Sequence, residues 1–138
     1  MLIDEPHYLA QVRATLGRDT RVVSSNDALD LRLKPADERS RSGTDTEQLF
    51  AAAYAACFLQ MMKFISRQED MELPTDAEVE ARVGVGPTER GFGMEVELRI
   101  SLPGISRTVA DWLVEKSHAI CPYSNAVRDN VSVRLVLV

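Results

Sequence analysis

Polar and apolar positions alternate in three stretches of this chain: Leu29-Asp-Leu-Arg-Leu33, 79–85 and Met94-Glu-Val-Glu-Leu-Arg-Ile-Ser-Leu102. Period two marks a strand with one buried face. Val22-Val23 adds a short strand, with turns at 17–20 and 24–27, so residues 7–34 read as short strands. Residues 87–93, with Gly91 and Gly93, connect the later two strands as a hairpin. A last strand covers 131–138.

Between these stretches the period changes. Thr44-Asp-Thr-Glu47 reads as a capping box, and an apolar run follows it. A helix is expected from about Thr46 to about Gln68, apolar nearly all round as far as Phe64 and therefore buried and central. Lys63, Arg67 and Gln68 suit its C-terminal end. A second helix is expected from about Ser106 to about Ile120, with Val109, Trp112, Leu113 and Ala119 as its apolar stripe. Pro122 restarts a short helix to about Arg128. The segment 35–43 is charged and reads as a mobile loop. Strand clusters with intervening helices give an α+β fold, and 138 residues fit a single domain over 1–138.

Composition narrows the function classes. Apolar residues make up 45% and charged residues 27%, as in ordinary globular chains. A net charge of -5 gives no footprint for nucleic acid. The start, Met-Leu-Ile-Asp-Glu-Pro, is acidic where a signal peptide is basic. The longest apolar run, Leu49 to Leu59, is too short for a bilayer. The expectation is a cytoplasmic protein with no membrane role. In that compartment a cysteine pair points to redox, catalytic or metal chemistry more than to a structural bridge.

The two cysteines sit in different settings. Cys57 lies deep in the apolar helix, where burial alone raises a thiol pKa and makes it inert. To act as a nucleophile it needs a cation from elsewhere in the fold, because the helix dipole fades within the first turn. Cys121 precedes Pro122 at a helix start, where backbone N–H groups favour an anion. A zinc site would need Cys57, Cys121, His118 and His7, and no Cys-x-x-Cys supports it. His118 reads either as a base for a cysteine hydrolase or, preferably, as a surface or capping group.

The ordered strings Glu47-Gln-Leu-Phe-Ala-Ala-Ala-Tyr-Ala-Ala-Cys-Phe58, Gly91-Phe-Gly-Met-Glu-Val-Glu-Leu98, Leu102-Pro-Gly104 and Cys121-Pro-Tyr-Ser-Asn-Ala126 resemble the organic hydroperoxide resistance (Ohr) branch of the OsmC/Ohr family. The resemblance runs from about Gly17 to Val138. It implies an intertwined homodimer with active sites at the subunit interface, built of antiparallel strands around a long buried central helix and a second helix. It also implies a thiol peroxidase that reduces organic (alkyl and fatty-acid) hydroperoxides to alcohols. Cys57 matches the peroxidatic cysteine and Cys121 the resolving one, so that a Cys57 sulfenic acid passes to a Cys57–Cys121 disulfide. Arg18 matches the arginine that pairs with the thiolate, with Arg21, Arg39 and Arg41 nearby in sequence. Glu47 matches the glutamate that holds that arginine. No cofactor or metal is implied; dihydrolipoyl groups of lipoylated dehydrogenase-complex proteins are the implied reductant and partner. Two departures stand out: Thr44-Asp-Thr-Glu47 replaces the family's Thr-Asn-Pro-Glu, and the preceding segment lacks the family's glycines. The rival readings are a cysteine-dependent acyl hydrolase using Cys57 and His118, and a non-catalytic dimer that binds apolar ligands.

One geometric expectation follows. Ten residues of helix separate Glu47 from Cys57 by roughly 15 Å. One arginine can hardly touch both within a chain. Either the helix breaks between them or Glu47 comes from a second subunit.

Overall fold

The computed structural model describes residues 1–35 and 43–138. The chain divides into two units, Met1–Thr46 and Glu47–Val138. The expected loop at 35–43, with Arg39 and Arg41, falls almost wholly outside the described residues.

In Met1–Thr46, three short strands form an antiparallel meander: β1 (Val12–Thr15), β2 (Thr20–Ser24) and β3 (Asp30–Leu33). Gly17, at φ 49°, turns the chain between β1 and β2. Between β2 and β3 the turn is held by side chains. Asn26 Oδ1 accepts from the Ala28 N–H at 3.1 Å, and Ser24 Oγ accepts from the Leu29 N–H at 2.9 Å. Such local bonds are why Asn and Ser favour turns. Among the described residues here, only Val22 and Leu33 are buried hydrophobics. Thr44 bridges Leu33, and its carbonyl accepts the Lys34 N–H at 2.8 Å.

In Glu47–Val138 the core is built by one helix stripe and one sheet face. Helix α1 (Thr46–Gln68) runs unbroken over its expected span. Tyr54, Phe58, Met62 and Ile65 fall at i, i+4, i+8 and i+11, and they are the hydrophobic residues it buries. Each contributes about 1.5–3 kcal/mol through removal from water. The helix is therefore buried along one stripe, not all round as expected; Phe64 stays half exposed. By length and composition alone α1 could cross a membrane. Its stripe is instead packed into the core of the sheet described next.

The sheet has the order β4-β5-β6, from β4 (Glu78–Thr88), β5 (Gly91–Ser101) and β6 (Ser132–Leu137). Along β5, Val96, Leu98 and Ile100 are buried, while Glu97 and Arg99 pair on the other face at 3.1 Å. The β4–β5 hairpin is longer than expected, because pairing continues through Gly86↔Gly93 and Pro87↔Phe92 to a turn at Glu89-Arg90. Gly91 takes φ 118° there, and Pro87 is tolerated because β4 is an edge strand. The expectation of antiparallel strands fails at one pairing: β6 runs parallel to β5. A parallel partner needs a long crossover. That crossover is α2 (Arg107–Ile120) and α3 (Pro122–Val127). Ser106 caps α2, its Oγ accepting from the Val109 N–H at 3.4 Å. The buried stripe of α2 is Ala110, Leu113, Val114 and Ser117; Ala119, expected on it, is exposed.

Candidate active site

The long helix and the crossover bring the two cysteines together. Cys57 is half-buried on α1; Cys121 is fully buried at the junction of α2 and α3. Both are free thiols, and their sulfurs are 4.0 Å apart. The junction is set by backbone chemistry. The Cys121 N–H still donates to the Ser117 carbonyl at 2.8 Å, closing α2. Pro122 then opens α3 at a position where a missing N–H costs nothing. Cys121 itself is extended, at φ -62° and ψ 124°.

The expected electrostatics of the helix start are redistributed. Cys121 occupies the cap position of α3, but its side chain makes no cap hydrogen bond. A backbone hydrogen bond from Tyr123, in the first turn of α3, goes to Cys57 instead. It lowers the Cys57 pKa, but burial and the adjacent Cys121 sulfur outweigh it. The Cys57 thiol is pushed up to about 11. A cation beside Cys57 is therefore still what activation requires.

Beside the thiols lies a buried polar chain. The Tyr54 phenol and the Ser124 hydroxyl share a hydrogen bond of 2.7 Å, and Ser124 Oγ is 2.9 Å from His118 Nδ1. Tyr54 and Ser124 are fully buried. Burial pushes the Tyr54 pKa up, and burial with nearby Arg128 lowers that of His118, so both are neutral at pH 7. Arg128 donates to the His118 carbonyl at 2.6 Å and to Asn125 Oδ1. His118 is thus neither a surface nor a capping group. Its Nδ1 faces Ser124, which weakens its reading as a base for Cys57. Sequence reasoning passed over Tyr54 and Ser124 as polar partners. The usable signal was their spacing, three residues before Cys57 and three after Cys121. No group of residues suited to a metal ion occurs among the described residues.

Arg18 is exposed in the β1–β2 turn of Met1–Thr46. Arg21, its neighbour in sequence, is committed to Asp30 through two bonds of 2.9 and 2.7 Å across β2 and β3. Glu47 is half-buried in the first turn of α1. The unbroken helix between Glu47 and Cys57 removes the expected break as a route to bringing them together. Near Cys57 on α1, Tyr54, Phe58 and Met62 are core. Phe50 is only partly buried and meets Tyr54 edge-on at 6.2 Å between ring centroids.

The model of the OsmC-like protein family matches residues 38–136. The chain belongs to that family. An organic hydroperoxide resistance protein of Xanthomonas axonopodis pv. citri is 46% identical over 133 residues, covering 94% of each chain. The organic hydroperoxide resistance protein OhrA of Bacillus subtilis is 32% identical, covering 96% of this chain and 97% of its own. Among solved structures, Bacillus subtilis OhrB aligns with a TM-score of 0.83 at 36% identity, covering 95% of this chain and 98% of that one. A Vibrio cholerae organic hydroperoxide resistance protein, with captopril bound in one of its active sites, aligns with a TM-score of 0.89 at 34% identity, covering 97% and 94%. These four relatives are of the Ohr kind, and the fold is that of the two solved ones.

Proposed function

We propose that the chain protects against organic hydroperoxides by reducing them to alcohols at Cys57. The observation that carries this reading is the pair of free thiols 4.0 Å apart, one half-buried and one buried. The names of the full-length relatives support the substrate class. In the proposed cycle the Cys57 thiolate attacks one peroxide oxygen and the O–O bond breaks. The departing alkoxide takes a proton and leaves as alcohol, and Cys57 becomes a sulfenic acid. The Cys121 sulfur then attacks Cys57. Its proton leaves with the sulfenic hydroxyl as water, and a Cys57–Cys121 disulfide forms. The sulfurs must close from 4.0 Å to about 2.05 Å. A dihydrolipoyl dithiol returns the couple to thiols and becomes the cyclic disulfide, which makes lipoylated proteins the proposed partners.

Arg18 is the proposed cation, because a guanidinium stays charged and offers two edges. One edge serves the thiolate and the departing oxygen; the other is oriented by Glu47. With α1 unbroken, Glu47 is proposed to act from the second subunit of a homodimer.

The test is consumption of an alkyl hydroperoxide with dihydrolipoamide or thioredoxin as reductant. Wild type is expected to turn over with dihydrolipoamide and poorly with thioredoxin. Cys57→Ser is expected to abolish consumption. Cys121→Ser is expected to consume about one equivalent and stall. Full turnover by Cys121→Ser would refute the disulfide cycle, because the Cys57 sulfenic acid would then be reduced directly by the dithiol.

A further inference from the structure

We propose that Ser124 is a positioning residue for the thiol couple: held between Tyr54 and His118, its hydroxyl fixes Cys121 against Cys57 and sets how readily their disulfide forms. The inference rests on reading the two cysteines as a redox couple. Among the contacts between α1 and the α2–α3 junction, two are parallel rungs. One is the pair of sulfurs at 4.0 Å; the other is the Tyr54–Ser124 hydrogen bond at 2.7 Å. Tyr54 lies three residues before Cys57 and Ser124 three after Cys121, so each rung shares a helix face with the other. The hydrogen-bond rung is directional and fully buried, where an unpartnered hydroxyl is costly.

Ser124 also reaches backwards. His118, at 2.9 Å, lies in the last turn of α2, on the other side of Cys121 in sequence. One hydroxyl therefore ties the chain before Cys121, the chain after it, and the helix that carries Cys57. The Tyr123 ring packs edge-on against Tyr54 at 5.9 Å between centroids, on the same junction. With the backbone held on both flanks, the approach of the sulfurs falls largely to side-chain rotation. A looser junction would lower the effective concentration of one sulfur at the other.

The full-length protein is equilibrated in glutathione buffers of graded redox ratio, and the intramolecular disulfide is read by mass. Glutathione disulfide accepts the two electrons, and both thiol protons end on the two glutathione thiols. Tyr54→Phe is expected to need a buffer about three- to tenfold more oxidising than wild type, as for one lost hydrogen bond, and Ser124→Ala, which also loses the His118 bond, one at least as oxidising. The double variant is expected to match Ser124→Ala in redox ratio, because the rung is already gone. It is also expected to melt at a higher temperature than Ser124→Ala, because no phenol is left unpartnered. Ser117→Ala is the control. That hydroxyl is buried in the turn before Cys121 with no partner among the described residues, and its loss should leave the redox ratio at the wild-type value. If Ser124→Ala and Tyr54→Phe both oxidise as wild type does, the positioning role is overturned while the redox couple stands. If wild type forms no intramolecular disulfide at any ratio, the couple itself fails, and the positioning role with it.

Discussion

A thiol with a pKa near 11 is almost wholly protonated at neutral pH, and only the thiolate is a nucleophile. Burial and the neighbouring sulfur raise Cys57, so the remedy is charge, not exposure. If Arg18 supplies that charge, alkylation of Cys57 in wild type should be fast and nearly flat between pH 6 and 8. In Arg18→Ala it should climb about tenfold per pH unit towards 11, tracking the thiolate fraction. A wild-type profile with that same climb would remove Arg18 from the site. Both cysteines were legible in the sequence, one from its apolar helix and one from the proline that follows it. Which sulfur receives the α3 N–H was not, because that depends on how α1 approaches the junction. The Tyr54–Ser124–His118 chain was hidden for the same reason: Tyr54 lies 70 residues from Ser124, and all three are of unremarkable type.

At the scale of elements, local pattern located nearly every helix and strand. It could not give direction. Alternation in β6 reads the same whether its neighbour runs parallel or antiparallel, and only the crossover decides it. Nor could it show how far β4 and β5 extend, since glycines and Pro87 look like turn residues until an edge position accommodates them. The Ser106 cap was legible only as the expected start of α2, and its worth can be measured. Ser106→Ala should lower stability by about 1 kcal/mol, read from urea melts, with peroxide turnover unchanged. A loss near zero would mean that water serves the Val109 N–H equally well.

For the whole molecule, the apolar side chains left in water bear on assembly. Tyr8, Leu9 and Leu16 are more than 70% exposed, and Phe64 on α1 is 50% exposed. Such side chains are candidates for surface that the proposed homodimer would cover. In the proposed homodimer the partner is a second copy, and catalysis reports on it. Mixing Cys57→Ser with Glu47→Ala, each inactive alone, should restore about a quarter of wild-type activity if Glu47 acts across subunits, since half of randomly assembled dimers hold one intact site. No recovery would place Glu47 and Cys57 in the same subunit's site. The parallel β5–β6 pairing has a separate consequence, for the order of folding. It closes a loop that runs from Ser101 to Ser132 and contains Cys121. Contacts across such separations form late, after local hairpins and helices. During refolding Cys57 is therefore expected to meet its partner thiol only at the final step, and Cys121 to stay open to solvent reagents until then.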